Sequence, residues 1–176
     1  DMFLKVAEGG EALFKELQGN VTEDHIILAK ETAAIVPEDW KNANAMMLTD
    51  TFCSEYGDET KYDPDQCVMD ITAAQGNTKR KQLTQIHVIG LTQDDFEFGL
   101  ATYLVSMGEL SYFSYQDKRF PWSLTGLSWH KEYDNKLGEP KSDATKNGYI
   151  YTRSFASGTT VWVDVKNRNA TITWGK

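Results

Sequence analysis

Residues 83–115, LTQIHVIGLTQDDFEFGLATYLVSMGELSYFSY, decide the fold. The stretch opens on LTQIHVIGL (83–91), an apolar, β-branched run that reads as a strand. Thr92-Gln93-Asp94-Asp95 is a capping-box-like helix start, and Phe96, Leu100, Tyr103, Leu104 and Met107 then recur at helical spacing up to Gly108. LSYFSY (110–115) returns to strand. Strand, amphipathic helix and strand in immediate succession imply two strands paired in parallel through a right-handed crossover.

The same signals recur upstream. Leu13, Phe14 and Leu17 share a helical face before Gly19, and HIILA (25–29) and residues 45–49 read as strands buried on both faces. Asp63 then offers an N-cap and Pro64 an N1 proline, apolar residues follow at Cys67, Val68, Ile71 and Ala74, and Gly76 is expected to close a helix of about three turns. The expected order over residues 10–115 is therefore helix, strand, strand, helix, strand, helix, strand. Downstream, residues 117–147 are polar and aperiodic, an irregular surface excursion. Residues 149–155, 160–165 and 170–174 read as three short strands joined by turns at 156–158 and 166–169, an antiparallel meander. The expected organisation is α/β units over 1–116, the excursion over 117–147 and a three-stranded antiparallel β-domain over 148–176.

Composition narrows the function classes. With 176 residues, 40% hydrophobic and 12% aromatic, the chain can bury a substantial core. Its formal charge of -8 and the absence of a basic stripe argue against nucleic acid and anionic membrane surfaces as partners. No apolar run approaches the roughly 20 residues that cross a bilayer, and no signal segment is read at the start of this chain. The compartment stays open, secretion included, and the sequons at Asn20 and Asn169 would permit glycosylation there. Cys53 and Cys67 are read as two buried thiols, with a disulfide as the alternative. His25, His87 and His130 lack ligand spacing, so no metal site is expected, and His87 reads as a core histidine. No Gly-x-Ser-x-Gly, P-loop or Gly-x-Gly-x-x-Gly occurs, and no cofactor is expected.

An ordered set of residues resembles a known family. Phe98-Gly99-Leu100-Ala101-Thr102-Tyr103-Leu104 and Leu110-Ser111-Tyr112-Phe113-Ser114-Tyr115 lead into Trp129-His130-Lys131-Glu132-Tyr133-Asp134, then Leu137-Gly138-Glu139-Pro140, then Arg153-Ser154-Phe155-Ala156-Ser157-Gly158-Thr159-Thr160-Val161. This succession resembles the C-terminal part of (β/α)₈-barrel glycoside hydrolase-like proteins, where a last barrel helix and strand run through a "W…EYD…LG.P" segment into a small β-domain opening with "R.F..G.V". The resemblance implies the C-terminal part of a TIM barrel, about four strands, followed by a small antiparallel β-domain. A whole barrel takes about 250 residues. On this reading the chain starts in mid-barrel, with Asp1 just beyond a fourth strand, and self-association or association with a missing N-terminal half would complete the fold.

Such a barrel works at the C-terminal ends of its strands. Glycoside hydrolysis there needs two carboxyl groups flanking the scissile bond. Glu55, just beyond the strand at 45–52, is the candidate acid/base, and a glutamate often follows that strand in the proteins the chain resembles; a solvated loop acid beside Asp58 and Glu59 is the plain alternative. Asp50 and Asp1 are further candidate catalytic carboxylates, although a strand-end aspartate is often only a turn residue. Glu31 is a candidate for substrate binding, and Trp122 and Trp129 would stack on a sugar ring or else pin the excursion onto the barrel. The expected partner is a carbohydrate substrate; a non-catalytic carbohydrate-binding or structural protein is the alternative.

Overall fold

The computed structural model describes Glu16 and residues 28–30, 45–48, 52–53, 62–117 and 128–175. Its first sheet is parallel. Strands β1 (Leu28–Lys30), β2 (Ala45–Leu48), β3 (Leu83–Gly90) and β4 (Ser111–Asp117) lie side by side in chain order, β1-β2-β3-β4. The register runs Leu48 to Ile86 between β2 and β3, and Thr84 to Ser111 through Gly90 to Asp117 between β3 and β4. Helix α1 (Pro64–Lys79) joins β2 to β3, and helix α2 (Gln93–Ser106) joins β3 to β4. The expected helix at 10–18 is described at Glu16 alone, which is helical, and residues 25–27 of the first expected strand lie outside the described residues.

The helix starts follow their caps. The Asp63 side chain accepts a hydrogen bond from the Asp65 N–H ahead of Pro64, and Thr92 and Asp95 complete a reciprocal capping box. Helix α1 overruns its expected stop. Gly76 sits inside the helix, which continues to Lys79 and ends through Lys81 at φ 56°. On β3, the buried residues Thr84, Ile86 and Val88 point at the helices, and Gly99 lets α2 approach closely, since a Cβ there would meet Val88 Cγ1 at 2.7 Å.

Helix α2 is buried on nearly every side beyond its first turn. Phe96 and every residue from Phe98 to Ser106 are buried, because a second sheet covers the face that the first leaves open. This sheet is antiparallel, in the order β5 (Thr145–Asn147), β6 (Ile150–Ser154), β7 (Thr160–Asp164) and β8 (Asn169–Thr173). It has four strands, one more than expected: exposed, polar Thr145–Asn147 carries no alternation to announce it and pairs with β6 across Gly148, whose φ of 60° the tight turn requires. Tyr151, Phe155, Val161 and Val163 face α2, while Trp162 points outward between the two valines.

The residues that carried the resemblance do structural work at this interface. Buried Arg153 donates to the Leu104 and Met107 carbonyls at 3.0 and 2.6 Å, capping the C-terminus of α2, and to the Ser142 carbonyl at 3.1 Å. Pro140 bridges to fully buried Phe155, and Gly138 and Gly158 take positive φ in the adjoining turns. Arg168 pairs with Asp95 at 2.6 Å and lies over the rings of Tyr62 and Phe98, and the Tyr62 hydroxyl donates to the Val165 carbonyl at 2.6 Å. Parallel sheet, helices and antiparallel sheet thus share one core.

Cys53 and Cys67 form a disulfide, with Cα atoms 4.4 Å apart, which corrects the reading of two thiols. The segment after β2 returns over the first turn of α1, a proximity that fourteen residues of sequence separation neither imply nor exclude.

Candidate functional site

The C-terminal ends of the parallel strands make one rim of the sheet, where β3 leaves through Gly90-Leu91 and β4 ends on Asp117 beside Gly90. Gly90 is required here. A Cβ would lie 2.5 Å from Asp95 Cβ and 2.7 Å from the Tyr115 hydroxyl. Asp95 accepts from the backbone N–H groups of Leu91 and Thr92 at 2.9 and 3.0 Å and pairs with Arg168. Burial alone would raise its pKa, but these hydrogen bonds, with that of the Thr92 side chain, outweigh it and hold the carboxyl below its usual range. Its hydrogen-bond capacity is spent on holding the rim together.

Between these strand ends and the segment at 128–130 opens a cavity of about 170 Å³. Phe96 and Tyr115 form its apolar wall; Thr92, Gln93, Asp117, Ser128 and His130 supply polar groups. The His130 ring stacks on Phe96 with centroids 3.8 Å apart, and burial pushes its pKa down against the opposing charge of Glu132, so the imidazole is neutral at pH 7. The Tyr115 hydroxyl donates to the Thr92 carbonyl at 3.2 Å; burial, followed by the charges of Asp95 and Asp117, pushes this phenol well above its ordinary range. Trp129, next along the chain, is 75% exposed, its edge set against Tyr133 and its indole N–H directed at Asp134. A further cavity of about 140 Å³ lies at the opposite end of the sheet, beside Lys79 and Met107, where Arg153 is already committed to main-chain carbonyls.

A buried clamp holds the segment that follows β2. Phe52 and Cys53 are buried, the disulfide ties Cys53 to α1, and the Cys53 N–H donates to Asp70 Oδ2 at 3.0 Å while Gln66 Nε2 donates to Asp70 Oδ1 at 2.9 Å. Burial, only partly offset by those hydrogen bonds, raises the Asp70 pKa from 3.8 to about 6. The sign follows directly. A carboxyl that holds its proton more tightly when folded favours the native state most below its unfolded pKa, and that advantage is lost as pH rises through about 6. Asp70→Asn is therefore expected to remove a fall in stability of the order of 2–3 kcal/mol between about pH 4 and 7. Urea unfolding of both proteins across that window checks it; an unchanged pH slope in the variant would assign the titration to another group.

Of the sequence candidates, Trp129 alone is described. Asp1, Glu31, Asp50, Glu55 and Trp122 lie outside the described residues, Glu55 two positions beyond the clamped Cys53. The residues brought together instead are Asp117, Gln93 and His130, which sequence reasoning missed. One signal was available for Asp117: it follows the strand run at 110–115 at the end where parallel sheets place their sites. Among the described residues no cluster of three or more His, Cys, Asp or Glu is placed to hold a metal, and no helix is long and apolar enough to cross a membrane.

No curated protein matches the chain. The model of hypothetical glycosyl hydrolase family 15 matches residues 4–159. That span takes in both helices, β1 to β6 and the rim between β3 and β4, and the chain belongs to hypothetical glycosyl hydrolase family 15 as a glycoside hydrolase-like protein.

Proposed function

We propose that the chain is the C-terminal part of a (β/α)₈ barrel that hydrolyses a glycosidic bond through paired carboxylates at its rim. The observation that carries this reading is the parallel sheet in strict chain order, with α1 and α2 supplying the β2–β3 and β3–β4 crossovers as in the repeating unit of such a barrel. Membership of hypothetical glycosyl hydrolase family 15 supports this reaction class. Glu55 is the acid/base candidate, in the segment directly after the disulfide clamp, and Asp50 and Asp1 are the candidates for its partner; Glu31, Trp122 and Trp129 would hold the sugar. The remaining strands would come from a second chain or from sequence preceding Asp1.

A panel of aryl glycosides assayed with the parent and with Glu55→Gln tests the reading. The variant is expected to lose about 10²-fold or more in kcat on any substrate the parent cleaves, the usual contribution of a positioned acid/base. Full activity in the variant removes Glu55 from the mechanism. Sugar binding with no turnover by the complete assembly would make the protein a carbohydrate-binding module instead.

A further inference from the structure

We propose that Asn169 is an N-glycosylation acceptor and that the first sugar ring of its glycan packs over Trp162. Neither depends on the reaction proposed above. Asn169-Ala170-Thr171 is a sequon with no proline at its middle position. It lies on β8, the outer strand of the antiparallel sheet, where the core fixes the alternation: Ala170 and Ile172 pack inward, so Asn169, Thr171 and Thr173 point outward and are exposed. The turn before β8 holds the acceptor in place. Arg168, at φ 51°, is anchored on Asp95, whereas Asn167 heads no sequon and its side-chain N–H is already donated to Asp164 at 2.7 Å. The other sequon, at Asn20, lies outside the described residues.

Two further observations point to a sugar here. The Cys53–Cys67 disulfide, buried at both ends, is the mark of a chain folded in an oxidising compartment, the setting in which sequons are used. Trp162, in turn, is a large side chain left 37% exposed on the outer face of the same sheet. It stands opposite Thr171, and Asp164 stands opposite Asn169, so Asn169 is its diagonal neighbour on one face, at the spacing of about 7–8 Å that aromatic side chains span. Thr152 and Thr171 flank the indole on the adjoining strands, and their short side chains leave its flat apolar face open to the C–H face of a ring held at Asn169. In the transfer, Asn169 Nδ2 displaces the diphosphate of a lipid-linked oligosaccharide. The new bond joins Nδ2 to the anomeric carbon, the bond from that carbon to the phosphate oxygen breaks, the lipid diphosphate leaves with the electron pair, and the amide releases one proton to solvent. Nothing is oxidised or reduced.

Secretion of the full chain from a eukaryotic host, followed by peptide-N-glycosidase and then trypsin, tests the acceptor. The glycosidase converts a sugar-bearing asparagine to aspartate, and cleavage after Arg168 isolates residues 169–176, which contain this sequon alone. Conversion at Asn169 is expected in the parent and is lost in Asn169→Gln. Thr171→Val, which keeps the asparagine and removes only the sequon hydroxyl, is expected to lose it as well and gives the same reading should the first variant fail to fold. A secreted, disulfide-bonded parent with Asn169 unmodified, or with sugar at Asn20 alone, would overturn the acceptor. NMR of the glycosylated chain tests the packing. The acetamido methyl of the first N-acetylglucosamine is expected upfield of its position in Trp162→Ala, and removal of the glycan is expected to lower the urea midpoint of the parent and leave that of Trp162→Ala unmoved. A methyl resonance and a midpoint shift that are the same with and without the indole would overturn the contact with Trp162.

Discussion

Replacing Phe96 with alanine is expected to cost about 3–5 kcal/mol of folding stability, the range for emptying a fully buried phenylalanine site. Its ring is inaccessible to solvent and meets Tyr115 edge-on at 5.3 Å, Tyr133 at 5.8 Å, Phe113 at 6.4 Å and His130 in a stack at 3.8 Å. Those neighbours come from β4 and from the segment at 130–133, so one side chain joins α2 to the last parallel strand and to the wall of the cavity. Each aromatic contact is worth about 0.5–1.5 kcal/mol beyond the area it buries. Urea unfolding with unchanged slope would report the loss directly. A cost under about 1.5 kcal/mol would mean that the neighbouring rings collapse into the space and that the cluster is not the keystone of the rim.

The same residue shows what the sequence makes legible. Phe96 opens the apolar periodicity that identifies α2, and the Thr92 and Asp95 cap fixes where the helix begins. What the periodicity did not convey is that every residue from Phe98 to Ser106 is buried, the pattern of a helix covered on both sides. That pattern requires a second layer, and the antiparallel sheet supplies it. Helix α1 was legible at its start, where Asp63-Pro64 admits little else, and not at its end, because a glycine is tolerated inside a helix and Gly76 does not stop this one. The reversal falls to Lys81, a residue type with no preference for positive φ.

Site legibility divides in the same way. Chain order and parallel pairing point to the C-terminal rim, since that is where consecutive β/α loops converge. Which side chains meet there depends on register, and register is not written in a run such as LSYFSY, where aromatic and serine residues mix without marking an end. β4 extends two residues past the expected strand, which sets Asp117 against Gly90 and makes it a rim residue rather than the first residue of a loop. His130 becomes part of the cavity only through its stack on Phe96, a contact across 34 residues that no local spacing encodes.

Removing the Cys53–Cys67 disulfide is expected to cost about 3 kcal/mol, from the loop-closure entropy returned to the unfolded chain by a link of about 15 residues. The test is the double variant Cys53→Ser/Cys67→Ser, because a single substitution would leave an unpaired thiol in the core beside Phe52 and Ile71. A local effect should accompany the global one. Without the covalent link, the segment after β2 is held by the hydrogen bond from the Cys53 N–H to Asp70 and by the burial of Phe52, and a single neutral-to-charged hydrogen bond contributes only about 1.5–3 kcal/mol. Hydrogen exchange should therefore quicken at residues 52 and 53 and in the first turn of α1, while β6 and β7, tied to α2 through Arg153 and Phe155, keep their protection. Uniform acceleration across both sheets would show that the link stabilises the whole domain without favouring the rim. A loss below about 1 kcal/mol would mean that the unfolded chain already keeps these two positions close. Local acceleration with Asp70 still accepting the Cys53 N–H would make the disulfide the element that holds the approach to Glu55 against α1.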